Sequence, residues 1–417
     1  MKSLQQVWEE LFPSLSSFGY EEGQGTTRLS WSKEFLDAQA FLLDYAKGIG
    51  LCCKKDGWGN LFLTVPGTED LPPVYTGSHL DSVPHGGKYD GALGITVPLA
   101  IANFWHQEKF QPRRPLTIIA FAEEEGPRFG RPCLGSQSLI GLLRKEEVET
   151  WQTADGKSLA ELLHQADLQG DPFKDHMPEG KCFLELHIEQ GRALEDAHLP
   201  LGVVSAIVGI RHYQFTWEGV TNHAGTTAMK DRHDALAAAA TMIEEIYTYA
   251  KTSSTPKMLK ENPDFAIVGT VGQVKAEPGA ANVVPGKAEH SLEIRCSTEQ
   301  GLDRAIANYK AEAEAIAQEY GVTCEIRQLD QIPPAPMFRP LMQKFEKAAK
   351  DLGIPYQIQP SWAGHDSMIL SHRLPTAMLF VPSKNGISHS PEEYTDANDI
   401  GQAASVLKKV LEELTRE

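Results

Sequence analysis

The 417-residue sequence predicts an α/β protein: a central, largely parallel sheet held between helices, interrupted by a smaller inserted α+β domain. Three observations predict it. Four apolar runs of strand length end abruptly in clusters of His, Asp and Glu. The segment from about 210 to 330 changes rhythm, to alternating strands and alanine-rich helices. A proline-rich joint, Pro333, Pro334 and Pro336, follows it, as at a domain boundary. The length, too great for one typical core, also favours two domains. The expected division is 1–209 and 331–417 for the larger domain and 210–330 for the insertion.

In chain order, MKSLQQVWEELF has the pattern of an amphipathic helix and lacks the apolar core of a signal peptide. Residues 34–48 carry helical periodicity and stop at Gly48. Asn60 to Val65 suggests a strand, turned by Pro66 and Gly67. Pro73 to Thr76 reads as a short buried strand leading into GSHLDSVPHGGKYDGALG, Gly77 to Gly94. If the strand continues, period two puts His79 and Asp81 on one side, where Asp81 could hydrogen-bond and orient His79. Gly86 and Gly87 allow a tight return, and Gly91 leaves backbone freedom behind Asp90. Turns favour these residue types in any case, so the stretch alone also fits a plain polar loop.

Ala92 to Gln107 reads as a helix despite Pro98, which should kink it or remove one hydrogen bond. Pro115 to Ala122 (PLTIIAFA) is the continuous apolar run of a strand buried on both faces, and it ends in Glu123, Glu124 and Glu125. Cys182 to Leu186 leads into His187, Glu189, Gln190 and Gly191. Thr376 to Val381 leads through a Ser, Lys, Asn, Gly turn to His389. Open α/β sheets bind ligands beyond the carboxyl ends of their strands, so these polar ends can share one crevice. In the insertion, strands at Arg211–Trp217, Phe265–Val274, Lys287–Cys296 and Val322–Leu329 alternate with helices at Arg232–Ala250 and Gly301–Tyr320. That βαββαβ order is the ferredoxin-like unit.

The formal net charge of −17, from 39 Lys plus Arg against 56 Asp plus Glu, argues against nucleic acid or an anionic membrane as partner. No apolar run approaches the roughly 20 residues of a membrane span, and the expected location is the cytoplasm. Cys52, Cys53, Cys133, Cys182, Cys296 and Cys324 form no CxxC pair or disulfide framework and are expected as buried thiols. Trp58, Trp105 and Trp217 are expected in core or interface. There is no GxSxG elbow, P-loop or HExxH.

The strand ends collect His79, Asp90, Glu125, His187 and His389, with Glu124 beside them. Imidazole and carboxylate without thiolate suit Zn, Mn, Co or Ni, and one carboxylate with four outer ligands suits a bridged pair of ions. Asp90 would bridge, with His79 and His187 on one side and Glu125 and His389 on the other. Two ions would lower the pKa of a shared water, and an unliganded Glu124 could accept its proton and pass it to a leaving nitrogen.

GSHLDSV, GGKYDGALG, FAEEEG, ELHIEQG and ISHSPEE, in this order and spacing, resemble the amidase, hydantoinase and carbamoylase branch of the M20 metallopeptidase family over nearly the whole chain. That branch includes N-carbamoyl-L-amino acid hydrolases and allantoate amidohydrolases. The resemblance implies an M20-type catalytic domain with an inserted dimerisation or lid domain, two divalent metal ions per subunit, and a homodimer. It supports the ligand roles above, Glu124 as general base and Asp81 as the residue orienting His79. From TNHAGTTAM it implies that His223 contributes to the oxyanion hole, commonly in the partner subunit's site. From GAANVVPG and SLEIR it implies that Asn282 and Arg295 bind the substrate carboxylate. Gln190 matches a substrate-contacting position, and Gly364 in SWAGHDS a loop lining the pocket; His365 and Asp366 beside it are expected to be structural. Pro98 is unusual for the family, and His85 stands where relatives commonly have asparagine; it is expected as a solvated loop histidine.

The expected function is metal-dependent cleavage of the ureido C–N bond of an N-carbamoyl-L-amino acid, giving the amino acid, CO2 and ammonia. Allantoate, which also offers a carboxylate beside a ureido group, is the alternative substrate. A non-catalytic metal or ureido-ligand binder is the remote one, and it would have no use for an unliganded Glu124 beside metals.

Overall fold

The computed structural model describes residues 2–254 and 266–417. The chain forms two compact units, one of residues 1–205, 337–359 and 363–417, the other of residues 206–336 and 360–362.

The first unit is built on a nine-stranded sheet. Four parallel strands lie at its centre in the order Thr376–Val381, Cys182–Ile188, Val74–His79, Leu116–Phe121. Every residue in all four is buried, which is why their sequences read as unbroken apolar runs instead of alternating. Leu61–Val65 and Cys52–Lys55 extend one side antiparallel, and Gly202–Ile207 pairs antiparallel with Thr376–Val381 on the other.

Two strands run further than their apolar cores suggest. Val74–His79 includes Gly77, Ser78 and His79, and Cys182–Ile188 includes His187. Gly77 has φ +151, and a Cβ there would lie 1.9 Å from the carbonyl oxygen of Ile119. The glycine is therefore a close-approach residue inside the sheet, not a loop former.

Helices Leu4–Ser16, Ala92–Glu108, Arg339–Leu352 and Ala397–Arg416 pack against one another and the sheet. Ala92–Glu108 is buried continuously from Ala92 to Ala102, as befits a helix apolar all round, and it runs through Pro98 without ending. Tyr75, Ile119, Phe121 and Phe183 form a further core cluster with Leu139 and Leu370 from two short helices, Leu134–Leu139 and Asp366–Leu370.

The second unit is an antiparallel sheet in the order Val268–Thr270, Lys287–Cys296, Gly209–Glu218, Thr323–Ile332, with Val274–Glu277 also paired to Lys287–Cys296. Helices Ala235–Ser253 and Glu299–Tyr320 cover it over a core that includes Phe215, Trp217, Met242, Leu292 and Tyr309. The strand expected over Phe265–Val274 is two short strands, and Phe265 itself lies outside the described residues.

Trp58, Trp105 and Trp217 are fully buried. Cys133, Cys182 and Cys296 are buried free thiols, but Cys52 is exposed and Cys53 and Cys324 are partly so. The first two lie on the edge strand Cys52–Lys55, whose outer side nothing in the sheet covers. Among the described residues no helix is long and apolar enough to cross a membrane.

Candidate functional site

The carboxyl ends of the four parallel strands bring His79, Asp90, Glu125, His187 and His389 together. Asp90 is central: its Oδ1 lies 3.2 Å from Nε2 of both His79 and His187, and its Oδ2 lies 3.2 Å from Nε2 of His389. His389 Nε2 is in turn 3.3 Å from Glu125 Oε1, and the Nε2 atoms of His79 and His187 are 3.5 Å apart. Ligand atoms around one tetrahedral ion with bonds of about 2.0–2.1 Å are spaced about 3.3 Å apart. The two groups that share Asp90 are spaced in that way.

The imidazoles are held in the tautomer metal binding needs. Nδ1 of His79 donates to the carbonyl of Asp81 at 2.9 Å, and Nδ1 of His187 donates to the carbonyl of Ile188 at 3.0 Å. A carbonyl only accepts, so each Nε2 keeps its lone pair for the cluster. Glu125 Oε1 is buried and faces Nε2 of His389. Burial by itself would push Asp90 up; the imidazoles of His187, His389 and His79 hold its carboxyl well below the usual range. Hydrogen bonds to Asp90 and Glu125 raise His389 to about 10. So many buried ionisable groups are costly without a compensating cation, and the residues fit a metal.

The expected role of Asp81 is only partly met. The strand stops at His79, so the alternation assumed for Asp81 is lost, and its carboxylate is 4.0 Å from Nδ1 of His79. The backbone carbonyl of Asp81 orients the ring instead. The carboxylate accepts from the backbone N–H groups of Glu124 and Glu125, at 3.1 and 3.2 Å. Asp81 thus fixes both the first histidine and the glutamate pair.

Glu124 is 7% exposed, with Oε2 3.9 Å from Nε2 of His79. Burial pushes its carboxyl well above the usual range, and Glu125 and Asp366 add to this against the opposing pull of His79. Its other oxygen faces the Cys133 thiol, with Sγ 3.3 Å from Oε1. Burial drives that thiol well upward, so it stays a donor.

Gln190 turns its amide onto the cluster, donating from Nε2 to Asp90 Oδ2 at 2.9 Å. Gly364 is exposed, with no atom within 4 Å of the place a Cβ would occupy. His365 and Asp366 are buried, and His365 stands edge-on to His187 with ring centroids 4.5 Å apart. His85 is an exposed loop residue whose ring bonds the carbonyl of Gln24.

Three contributors escaped the sequence reading. Besides Cys133, Glu393 accepts from the N–H groups of Tyr89 and Asp90 through Oε1 and from Ser388 through Oε2. Ser388 Oγ is also 3.0 Å from Asp90 Oδ2, so its single proton serves one of the two carboxylates at a time. Glu393 and Ser388 lie in ISHSPEE, so the motif was visible, but only its histidine had an obvious chemistry.

In the second unit, Nδ1 of His223 accepts from the N–H groups of Gly225 and Thr226, at 3.0 and 3.2 Å. Its remaining proton therefore sits on Nε2. The carbonyl of Asn282 accepts from the N–H of Ala224, tying the two loops together. Arg295 donates from Nε to Glu293 and from Nη1 to the carbonyl of Trp362.

A chain with one unit built on a parallel sheet that carries imidazoles and carboxylates at its strand ends, and a second, antiparallel α+β unit, defines a metallohydrolase of the two-unit peptidase type. The chain belongs to peptidase family M20/M25/M40, whose model matches residues 75–413. It is 36% identical over 411 residues to an N-carbamoyl-L-amino acid amidohydrolase of Geobacillus stearothermophilus, covering 97% of this chain and 96% of the relative. It is 34% identical to an allantoate amidohydrolase of Bacillus subtilis, covering 96% and 95%. It is also 33% identical to a ureidoglycolate hydrolase of Arabidopsis thaliana, covering 96% and 84%. Among solved structures it resembles a hydantoinase/carbamoylase family amidase of Burkholderia multivorans at TM-score 0.89 and 28% identity, covering 100% and 98%. Within the family, the chain is an amidohydrolase.

Proposed function

We propose that this amidohydrolase hydrolyses the ureido C–N bond of an N-carbamoyl-L-amino acid, releasing the amino acid, CO2 and ammonia. The observation that carries the reading is the divided Asp90 carboxylate, one oxygen toward His79 and His187 and the other toward His389, with Glu124 at its side. We read His79, His187 and Asp90 as holding one divalent ion and Asp90, Glu125 and His389 as holding a second, of Zn, Mn, Co or Ni. Such ions, when bound, supply Lewis acidity and make water acidic enough to attack near neutral pH.

Glu124 takes a proton from the attacking water as oxygen bonds to the ureido carbon, and gives it to the amino nitrogen as the C–N bond breaks. The carbamate so released falls apart to CO2 and ammonia. Asp81 and Cys133 keep the Glu124 carboxylate in place. His223 offers its Nε2 proton to the developing oxyanion. Asn282 and Arg295 hold the substrate carboxylate, and Gln190 and Gly364 border the substrate.

The first unit is then the catalytic domain and the second a dimerisation and lid domain, in a cytoplasmic homodimer. Support for the dimer is the His223 reading; sedimentation as a monomer would remove it from the proposal.

Allantoate is the second substrate reading and ureidoglycolate a third, each supported by relatives above 30% identity. Ammonia release from several N-carbamoyl-L-amino acids, allantoate and ureidoglycolate, compared by kcat/KM, tests the assignment. The highest kcat/KM should fall on a carbamoyl amino acid; a clear preference for either other ureide would replace it.

A further inference from the structure

We propose that Glu293 and His212 are positioning residues for substrate recognition: they hold the Arg295 guanidinium so that only its Nη edge is offered to the substrate's carboxylate. The inference rests on the reading of Arg295 as the carboxylate-binding residue and says how that residue is made specific.

The sheet of the second unit brings the three together. Strands Gly209–Glu218 and Lys287–Cys296 run antiparallel with Glu293 directly opposite His212, and Arg295 follows two residues on, on the same face. Leu292, Ile294 and Cys296 alternate with them and are buried. Glu293, Arg295 and His212 are thus on the face of the sheet turned away from the core, with side chains 29%, 30% and 40% exposed.

The Glu293 carboxylate is shared between two donors. Its Oε1 accepts from Arg295 Nε at 2.7 Å, and its Oε2 lies 3.0 Å from Nε2 of His212. Burial would push this carboxyl up, but Arg295 and His212 bring it below the usual range, so it remains an acceptor for both. On the far side of the guanidinium, Nη1 donates to the carbonyl of Trp362 at 2.9 Å. All four residues belong to the second unit.

Counting donors gives the consequence. A guanidinium has five N–H groups, and a carboxylate can approach it side-on, across Nε and one Nη, or end-on, across both Nη atoms. Glu293 occupies Nε and closes the side-on approach. Trp362 takes one Nη1 proton, which leaves three donors along the Nη edge. A long side chain on an open strand face would otherwise sample many rotamers, and ordering it on binding costs affinity. Glu293, itself fixed by His212, removes that cost beforehand.

The test compares Glu293→Gln, His212→Ala and Arg295→Ala, reading KM and kcat for a ureido acid. It also reads competitive inhibition by the product amino acid and by the matching amine, which lacks only the carboxylate. Glu293→Gln should raise KM and the amino acid's inhibition constant about tenfold, leave kcat within about twofold, and leave the amine's constant unchanged. His212→Ala, on an exposed face where loss of the fold is not expected, should shift the same quantities in the same direction by less. Equal weakening of amino acid and amine, a fall in kcat at constant KM, or no change in either variant would overturn the proposal. If Arg295→Ala weakens the amino acid but neither positioning variant does, this inference alone fails. Unaltered amino-acid inhibition in Arg295→Ala would instead remove Arg295 as the carboxylate's partner.

Discussion

Asp90 and Glu124 are both buried carboxylates, yet they should fail differently. Asp90 contacts all three histidines, so Asp90→Ala should empty the centre. Glu124→Gln removes a proton acceptor and keeps the shape, so metal content by atomic emission should hold while kcat falls on the order of 10² to 10⁴. Unchanged turnover in Glu124→Gln, or full metal content in Asp90→Ala, would break the assignment of roles. The five ligand candidates were legible because each follows a strand-like apolar run or its turn, and imidazole with carboxylate at such ends has few bland explanations. Asp81 was legible only in part, and Cys133 and Glu393 were not. Their work depends on which atom meets which partner: Glu393 caps the amide of Asp90 from 303 residues away, and Asp81 uses its carbonyl where its carboxylate was expected. Local pattern carries no record of such pairings.

At the scale of elements, the parallel strands were readable from their composition, whereas their ends were not, because Gly77 and Ser78 look like loop residues and are buried strand residues. The backbone around the site is also strained where sequence gives no warning. Glu123, Cys133, Gln190 and His389 all have φ between 54 and 61°, a left-handed conformation costing about 1–2 kcal/mol for each non-glycine residue. One glycine at the site takes a conformation that side chains rarely adopt, with ψ −49 at positive φ. Gly91 has φ +64, and a Cβ would fall 2.4 Å from the carbonyl oxygen and 2.5 Å from the ring of His79. Gly91→Ala should therefore displace His79, weakening metal binding at least about tenfold and costing about 1–3 kcal/mol of stability. Metal titration and denaturant unfolding would check this; binding equal to the parent would show that the close approach is dispensable.

The molecule as a whole responds to metal loss through its histidines. In the metal-free protein His389 rises from the usual 6.5 to about 10. A group whose pKa is raised by folding stabilises fully below its unfolded value and loses that stabilisation as pH climbs through the folded one. The melting temperature of chelator-treated protein should fall between pH 6.5 and about 10. The loaded protein, with a metal in place of the proton, should not follow it, and a flat metal-free profile over that window would contradict the geometry. The strand Thr376–Val381 has a consequence of another kind. It is the last strand of the sheet in sequence, yet it sits between Cys182–Ile188 and Gly202–Ile207. Until it arrives, nothing joins Gly202–Ile207 to the parallel strands, and the buried strand Cys182–Ile188 keeps one edge unpaired. Such an edge can pair with other chains, so the interval before the final strand arrives is when this sheet is most open to association.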